Sequence, residues 1–95
     1  MERYRTRTGV VLTSICGEYL LVAAKDAREH CPYCSQISES SAFLWRKLVS
    51  GAGEEELLRA VCAEYEIDDP GPARQEIEDF IGQMLQMGYL LRGGE

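Results

Sequence analysis

Residues 33–51 read YCSQISESSAFLWRKLVSG, and the hydrophobic period changes in the middle of this stretch. Tyr33, Ser35 and Ile37 alternate with Cys34, Gln36 and Ser38, the two-residue period that puts the two sets on opposite faces of a strand. From Ser40 the apolar positions are Phe43, Leu44, Trp45, Leu48 and Val49, a helical spacing. Serines precede that helix as N-caps, and Gly51 follows it as a stop. A strand therefore runs directly into a helix here.

Upstream, residues 9–14 (GVVLTS) and 18–24 (EYLLVAA) are short, aliphatic and separated by Cys16-Gly17, which predicts a hairpin. Residues 25–32 (KDAREHCP) are charged, end in proline and read as a loop. Downstream, Glu54, Glu55 and Glu56 open a second helix, where acids favour the positive end of the helix dipole. Its stripe is Leu57, Leu58, Val61, Cys62 and Tyr65. Asp68-Asp69-Pro70-Gly71-Pro72 ends it and starts a third helix, which is expected to bury Ile77, Phe80, Ile81, Met84 and Leu85. Gly88 stops that helix, Tyr89-Leu90-Leu91 packs back, and residues 92–95 form a polar tail. The order β-β-β-α-α-α places the strands before the helices, so the expected class is α+β with a three-stranded antiparallel sheet.

A three-stranded meander has two edges, each a row of unpaired backbone N–H and C=O groups. The strand at 33–38 carries no proline or lysine to block pairing. Such an edge can accept an extended peptide as an added strand, with side chains entering a neighbouring groove. It can equally be solvated or covered by the N-terminal arm, and periodicity leaves both readings open.

Composition narrows the function classes. Ninety-five residues make one domain, with 45% apolar and 27% charged residues, an ordinary globule. The longest apolar run, 19–24, is too short to cross a bilayer, and the arginine-bearing start has no apolar core like that of a secretory signal. A cytosolic, non-membrane protein is expected. Net charge is −6, and the acids concentrate at 54–79, where only Arg59 and Arg74 oppose them. Nucleic-acid affinity depends on phosphate neutralisation by Lys and Arg, so this balance disfavours it.

The strand-to-helix junction Ile37-Ser38-Glu39-Ser40-Ser41-Ala42-Phe43-Leu44-Trp45 resembles that of the PqqD-like family, the recognition domains for precursor peptides of ribosomally made, modified natural products. Glu54-Glu55-Glu56-Leu57-Leu58 resembles the start of that family's second helix, and Ala63-Glu64-Tyr65-Glu66-Ile67-Asp68 resembles its E-Y-x-V-D end. Ile77-Glu78-Asp79-Phe80-Ile81 through Met87-Gly88-Tyr89-Leu90 resembles its third helix and closing step. The likeness covers about residues 9–91. The junction departs from the family's usual L-N-x-T-G-A, with Ser38 available to cap where asparagine would and Ser41 standing for a glycine.

The resemblance implies a winged-helix-like fold without catalysis or cofactor. It implies that a leader peptide is held between the third strand and third helix and presented to a modifying enzyme, often a radical S-adenosylmethionine enzyme. On this sequence the implied peptide-binding residues are Tyr33, Cys34, Ser35, Gln36, Ile37 and Ser38 on the strand and Phe80, Gln83, Met84 and Met87 on the helix. Flexible thioethers suit varied apolar guests, although Met84 at stripe spacing also fits plain core. The open edge would also allow a homodimer.

Two rivals remain. A winged-helix transcription regulator needs a basic recognition helix, and the first helix offers only Arg46-Lys47. The motif Cys31-Pro32-Tyr33-Cys34 resembles a glutaredoxin site, but weak strand pattern follows it where a redox motif opens a helix. A zinc site needs four ligands, and Cys16 sits a strand's length, roughly 23 Å, from Cys31. Two semi-exposed thiols at a loop end are the expectation, with Cys62 in the core and no metal. No Ser-His-Asp framework surrounds His30, and no phosphate-cradling glycine loop is present.

Overall fold

In the computed structural model, which describes residues 2–93, the hairpin forms as read: β2 (Val10–Ile15) and β3 (Glu18–Ala23), after β1 (Arg3–Thr6). Cys16 and Gly17 both take positive φ, 52° and 80°, the two left-handed positions of a type I′ turn whose twist matches the flanking strands. Tyr19 pairs with Ile37 and Val22 with Cys34, so β4 (Cys34–Ile37) completes an antiparallel sheet in the order β2-β3-β4. A single 3-10 turn, Ala27–Glu29, interrupts the loop between β3 and β4.

The strand hands over to α1 (Glu39–Leu48) at Ser38, whose hydroxyl accepts the Ser41 amide at 3.1 Å. Serine thus caps where the family's asparagine was expected to. Gly51, at φ 89°, closes the end of α1 by donating its amide to the Leu48 carbonyl. The helix α2 (Glu54–Glu64) opens on its three glutamates, and Glu56 accepts the Gly53 amide. The helix α3 (Pro70–Met87) begins with Asp69 capping Gly71 and ends at Gly88 in the left-handed region.

The α+β class stands, and the structure adds a second three-stranded sheet to the expected one. β5 (Ala52–Gly53) and β6 (Leu90–Arg92) pair antiparallel with opposite sides of β1. The arginine-rich start is therefore a strand, and Tyr4 is buried in the common core while its arginine neighbours are not. Period-two alternation of Arg3, Arg5 and Arg7 with Tyr4, Thr6 and Thr8 was the available signal, obscured because charge reads as loop. Tyr4 thus adds to the core a residue that precedes the stretch 9–91 covered by the family likeness. Of the polar tail, residues 94 and 95 lie outside the described residues, as does Met1.

The core joins both sheets to all three helices around Trp45, Leu48, Leu57, Ile77, Tyr89 and Leu90. Three helix positions differ from expectation. Tyr65 is α2's C-cap and is exposed, stacking edge-on against Phe43 at 5.7 Å, because the helix ends before its stripe turns inward again. Val49 is exposed as the residue closing α1. Leu85 is only partly buried, since α3 packs through Ala73, Ile77, Phe80, Ile81 and Met84.

Candidate peptide-binding cleft

The N-terminal arm pairs with β5 and β6, not with β4, so among the described residues β4 has β3 as its one strand partner. Which backbone groups are left free follows from the ladder. The Ala23 amide donates to the Tyr33 carbonyl at 2.8 Å, and antiparallel pairs alternate between bonded and non-bonded. In the register Leu21↔Ser35 and Leu20↔Gln36, residues 33, 35 and 37 face β3. The N–H and C=O groups of Cys34 and Gln36 consequently point to the free edge.

A cleft of about 200 Å³ lies beside this edge. Ser35, Gln36, Ile37 and Ser38 form one wall, extended by Ser41 of α1. Phe80, Gln83, Met84 and Met87 form the other, at the i, i+3, i+4, i+7 spacing of one helical face. Phe80 and Met84 are buried and belong to the core, so they form the floor; Gln83 is exposed and Met87 partly so. Met84 is thus core residue and cleft residue at once. No side chain lining the cleft is ionisable, which makes it an uncharged channel with free main-chain groups along one side.

Of the ten residues named from sequence, the cleft gathers these eight and leaves out Tyr33 and Cys34. Tyr33 lies exposed before the strand, where the Arg28 guanidinium stacks on its ring at 3.9 Å. Cys34 is exposed at the strand's first position.

The thiol expectation needs correction: Cys34 is exposed, but Cys31 is buried, its Sγ donating to the Ala27 carbonyl at 3.2 Å. The 3-10 turn before it and Gly88 above it enclose the side chain, and that burial pushes the Cys31 thiol pKa up. Cys62 is partly buried against the core. Among the described residues no three His, Cys, Asp or Glu side chains are grouped as metal ligands would be.

Tyr89 fixes the β4 wall, a role the sequence reading missed. Its hydroxyl donates to the Pro32 carbonyl at 2.9 Å and therefore accepts from the Ser35 hydroxyl, also at 2.9 Å, because a phenol has one proton to give. The ring is fully buried, edge-on to Trp45, and burial raises the phenol pKa. Gly88 allows the close approach: a Cβ there would lie 2.0 Å from the His30 carbonyl oxygen. In the sequence only the Gly88-Tyr89 step hints at it, since a tyrosine that packs back into a core needs a hydrogen-bond partner for its hydroxyl.

The comparisons with known proteins agree with this frame. The family described as coenzyme PQQ synthesis protein D (PqqD) matches residues 34–90, from the first residue of β4 to the first of β6. No curated protein matches the chain. Two solved structures share the fold at a TM-score of 0.71. One, "Lasso peptide synthetase B1 complexed with the leader peptide", is 16% identical, over 93% of this chain and 96% of its own. The other, "TbiB1 in Complex with the TbiA(beta) Leader Peptide", is 22% identical, over 90% and 93%. At such identities the structures establish shared architecture, whereas the family match covers more than half of the residues and includes both walls of the cleft: the chain belongs to the PqqD family.

Proposed function

We propose that this protein is a non-catalytic adaptor that captures the leader segment of a precursor peptide as an added strand on β4 and presents it to a modifying enzyme. The observation that carries the reading is the unpaired edge of β4 lying directly over an uncharged, methionine-lined cleft. Guest main chain would bond to the outward groups of Cys34 and Gln36, and alternate guest side chains would enter against Phe80, Met84 and Met87. The leader peptides with which both structural neighbours are complexed, and the chain's place in the PqqD family, support the same reading. The family resemblance favours a radical S-adenosylmethionine enzyme as the recipient. The neighbour described as a lasso peptide synthetase B1 favours, as a second reading, a lasso-peptide maturation enzyme. Four unpaired cysteines fit a reducing, cytosolic setting, and no helix among the described residues is long and apolar enough to cross a membrane.

The test uses linear peptides enriched on the immobilised full chain from a displayed random library, titrated by fluorescence anisotropy. Gln36→Pro removes an outward donor while leaving the β3 ladder intact. It should weaken binding at least about tenfold, with the circular dichroism spectrum preserved. Equal affinity for both proteins would rule out strand addition.

A further inference from the structure

A cavity of about 500 Å³ lies outside the β4 cleft, where the start of α1, the end of α2 and the first half of α3 meet. Leu44, Val61, Tyr65, Ile67, Ala73 and Ile77 give it an apolar lining, and Ser40, Asp69 and Glu76 add polar groups. It is more than twice the size of the cleft and is not used by strand addition.

The two hollows share one face of one helix. Ala73 and Ile77 line the cavity, Phe80, Met84 and Met87 line the cleft, and the whole series steps by three or four residues. The junction of α1 borders both: Ser41 lines the cleft, its neighbour Ser40 lines the cavity, and the Ser40 hydroxyl donates to Glu76 at 3.1 Å. Ser35 sits by Tyr89, beyond α3's C-terminal end, and Ser40 by Glu76 in its first half, so β4 runs antiparallel to α3 and towards the cavity. Ile77 and Met84 are about 10 Å apart along the helix axis, a span that about three extended residues cover.

We infer that this cavity is a second anchor subsite for the same guest peptide, taking an apolar side chain about three residues beyond the strand-paired segment, next to a basic residue. The inference rests on the proposed leader docking at β4. Pairing antiparallel, as every strand pair among the described residues does, would place the anchor on the N-terminal side of the paired segment. Charge selects the occupant's neighbour. Glu64, Glu66, Asp68, Asp69 and Glu76 are exposed around the end of α2 and the first half of α3, and none is in an ion pair among the described residues. A Lys or Arg beside the anchor would meet this acidic surface, whereas an acidic neighbour would be repelled.

The experiment titrates the ¹⁵N-labelled full chain with the best peptide from the library selection and with a version lacking the residues N-terminal to its paired segment. The longer peptide should shift the amides of Ile67, Ala73 and Ile77 together with those of Gln36 and Gln83. The shorter one should shift only Gln36 and Gln83 and bind about tenfold more weakly. Tyr65→Ser, a substitution at an exposed position, should weaken the longer peptide and leave the shorter one unchanged. Cavity amides that stay still with the longer peptide, or equal affinities for the two peptides, overturn the second anchor while Gln36 shifts preserve the docking reading. Shifts at neither set overturn both.

Discussion

Among the described residues two three-stranded antiparallel sheets meet opposite fates. In β5-β1-β6 the central strand comes from the chain's start and its neighbours are short, and charged side chains bind the assembly from outside: Arg3 to Glu56, Arg92 to Glu2, and Arg7 Nε to the Gly88 carbonyl. It works as a clasp between the two ends of the described chain. In β2-β3-β4 the central strand comes from the hairpin, and the edge strand β4 is left open over an uncharged cleft. The difference teaches that the N-terminal arm is taken up by β5 and β6, away from β4, and that the edge left open is the one with a groove beside it, the arrangement strand addition would use.

Gly88 and Tyr89 connect the two sheets, so the largest effect is expected there. Gly88→Ala forces an L-residue to φ 90° and drives a Cβ into the His30 carbonyl. It should cost at least about 3 kcal/mol in chemical denaturation, or prevent folding, because the obstruction is backbone. Tyr89→Phe keeps the packing but strips Pro32 and Ser35 of their shared partner. A loss of about 1–2 kcal/mol is expected, with faster amide exchange in residues 33–36 than in β1, which would separate the brace of β4 from the clasp. Uniform exchange across both sheets would show that they unfold as one unit.

The smallest effect is titration. The Arg92 guanidinium holds the Glu2 carboxyl below its ordinary value, Arg74 does the same for Glu55, and the Gly53 amide, aided by Arg3, does so for Glu56. Depressed folded-state values contribute stability that is present above the ordinary carboxylate value of 4.5 and is lost as pH falls through the lowered ones. Burial, then Glu78, raises the Glu54 carboxyl, so its protonation on acidification favours the folded state and partly offsets that loss. Thermal melts should therefore change little from neutral pH down to the ordinary carboxylate value and decline only below it. Added salt should weaken the clasp pairs while leaving cleft binding unchanged, since the cleft lining carries no charge. A steep salt dependence of binding through the cleft alone would contradict that picture.

Several features of the fold were legible because they are local. The period switch at Ser38, the Cys16-Gly17 turn, the three opening glutamates of α2 and the proline start of α3 each report the conformation of a few neighbouring residues. The helix wall of the cleft came with the family resemblance and not with the period: Phe80, Gln83, Met84 and Met87 share a face, but the apolar stripe pointed to Ile77, Phe80, Ile81, Met84 and Leu85, and spacing does not say which face stays open. Tyr33 and Cys34 were named by strand membership, but the lining begins only at Ser35, where Tyr89 holds the wall. The clasp was not legible, because β5 has two residues and β6 three, too few to show a period, and β1 is dressed in arginines.

The sequence by itself determined the order of elements from β2 to α3, their caps and stops, and which side of α3 is apolar, all properties of residues within a few positions of each other. Only the tertiary structure decided which strand edge stays free, that Tyr89 braces it, that Cys31 is enclosed while Cys34 is not, and that cleft and cavity fall in line along one helix. Those outcomes depend on contacts between residues tens of positions apart, such as Arg3 with Glu56 and Ser35 with Tyr89, which no local pattern encodes.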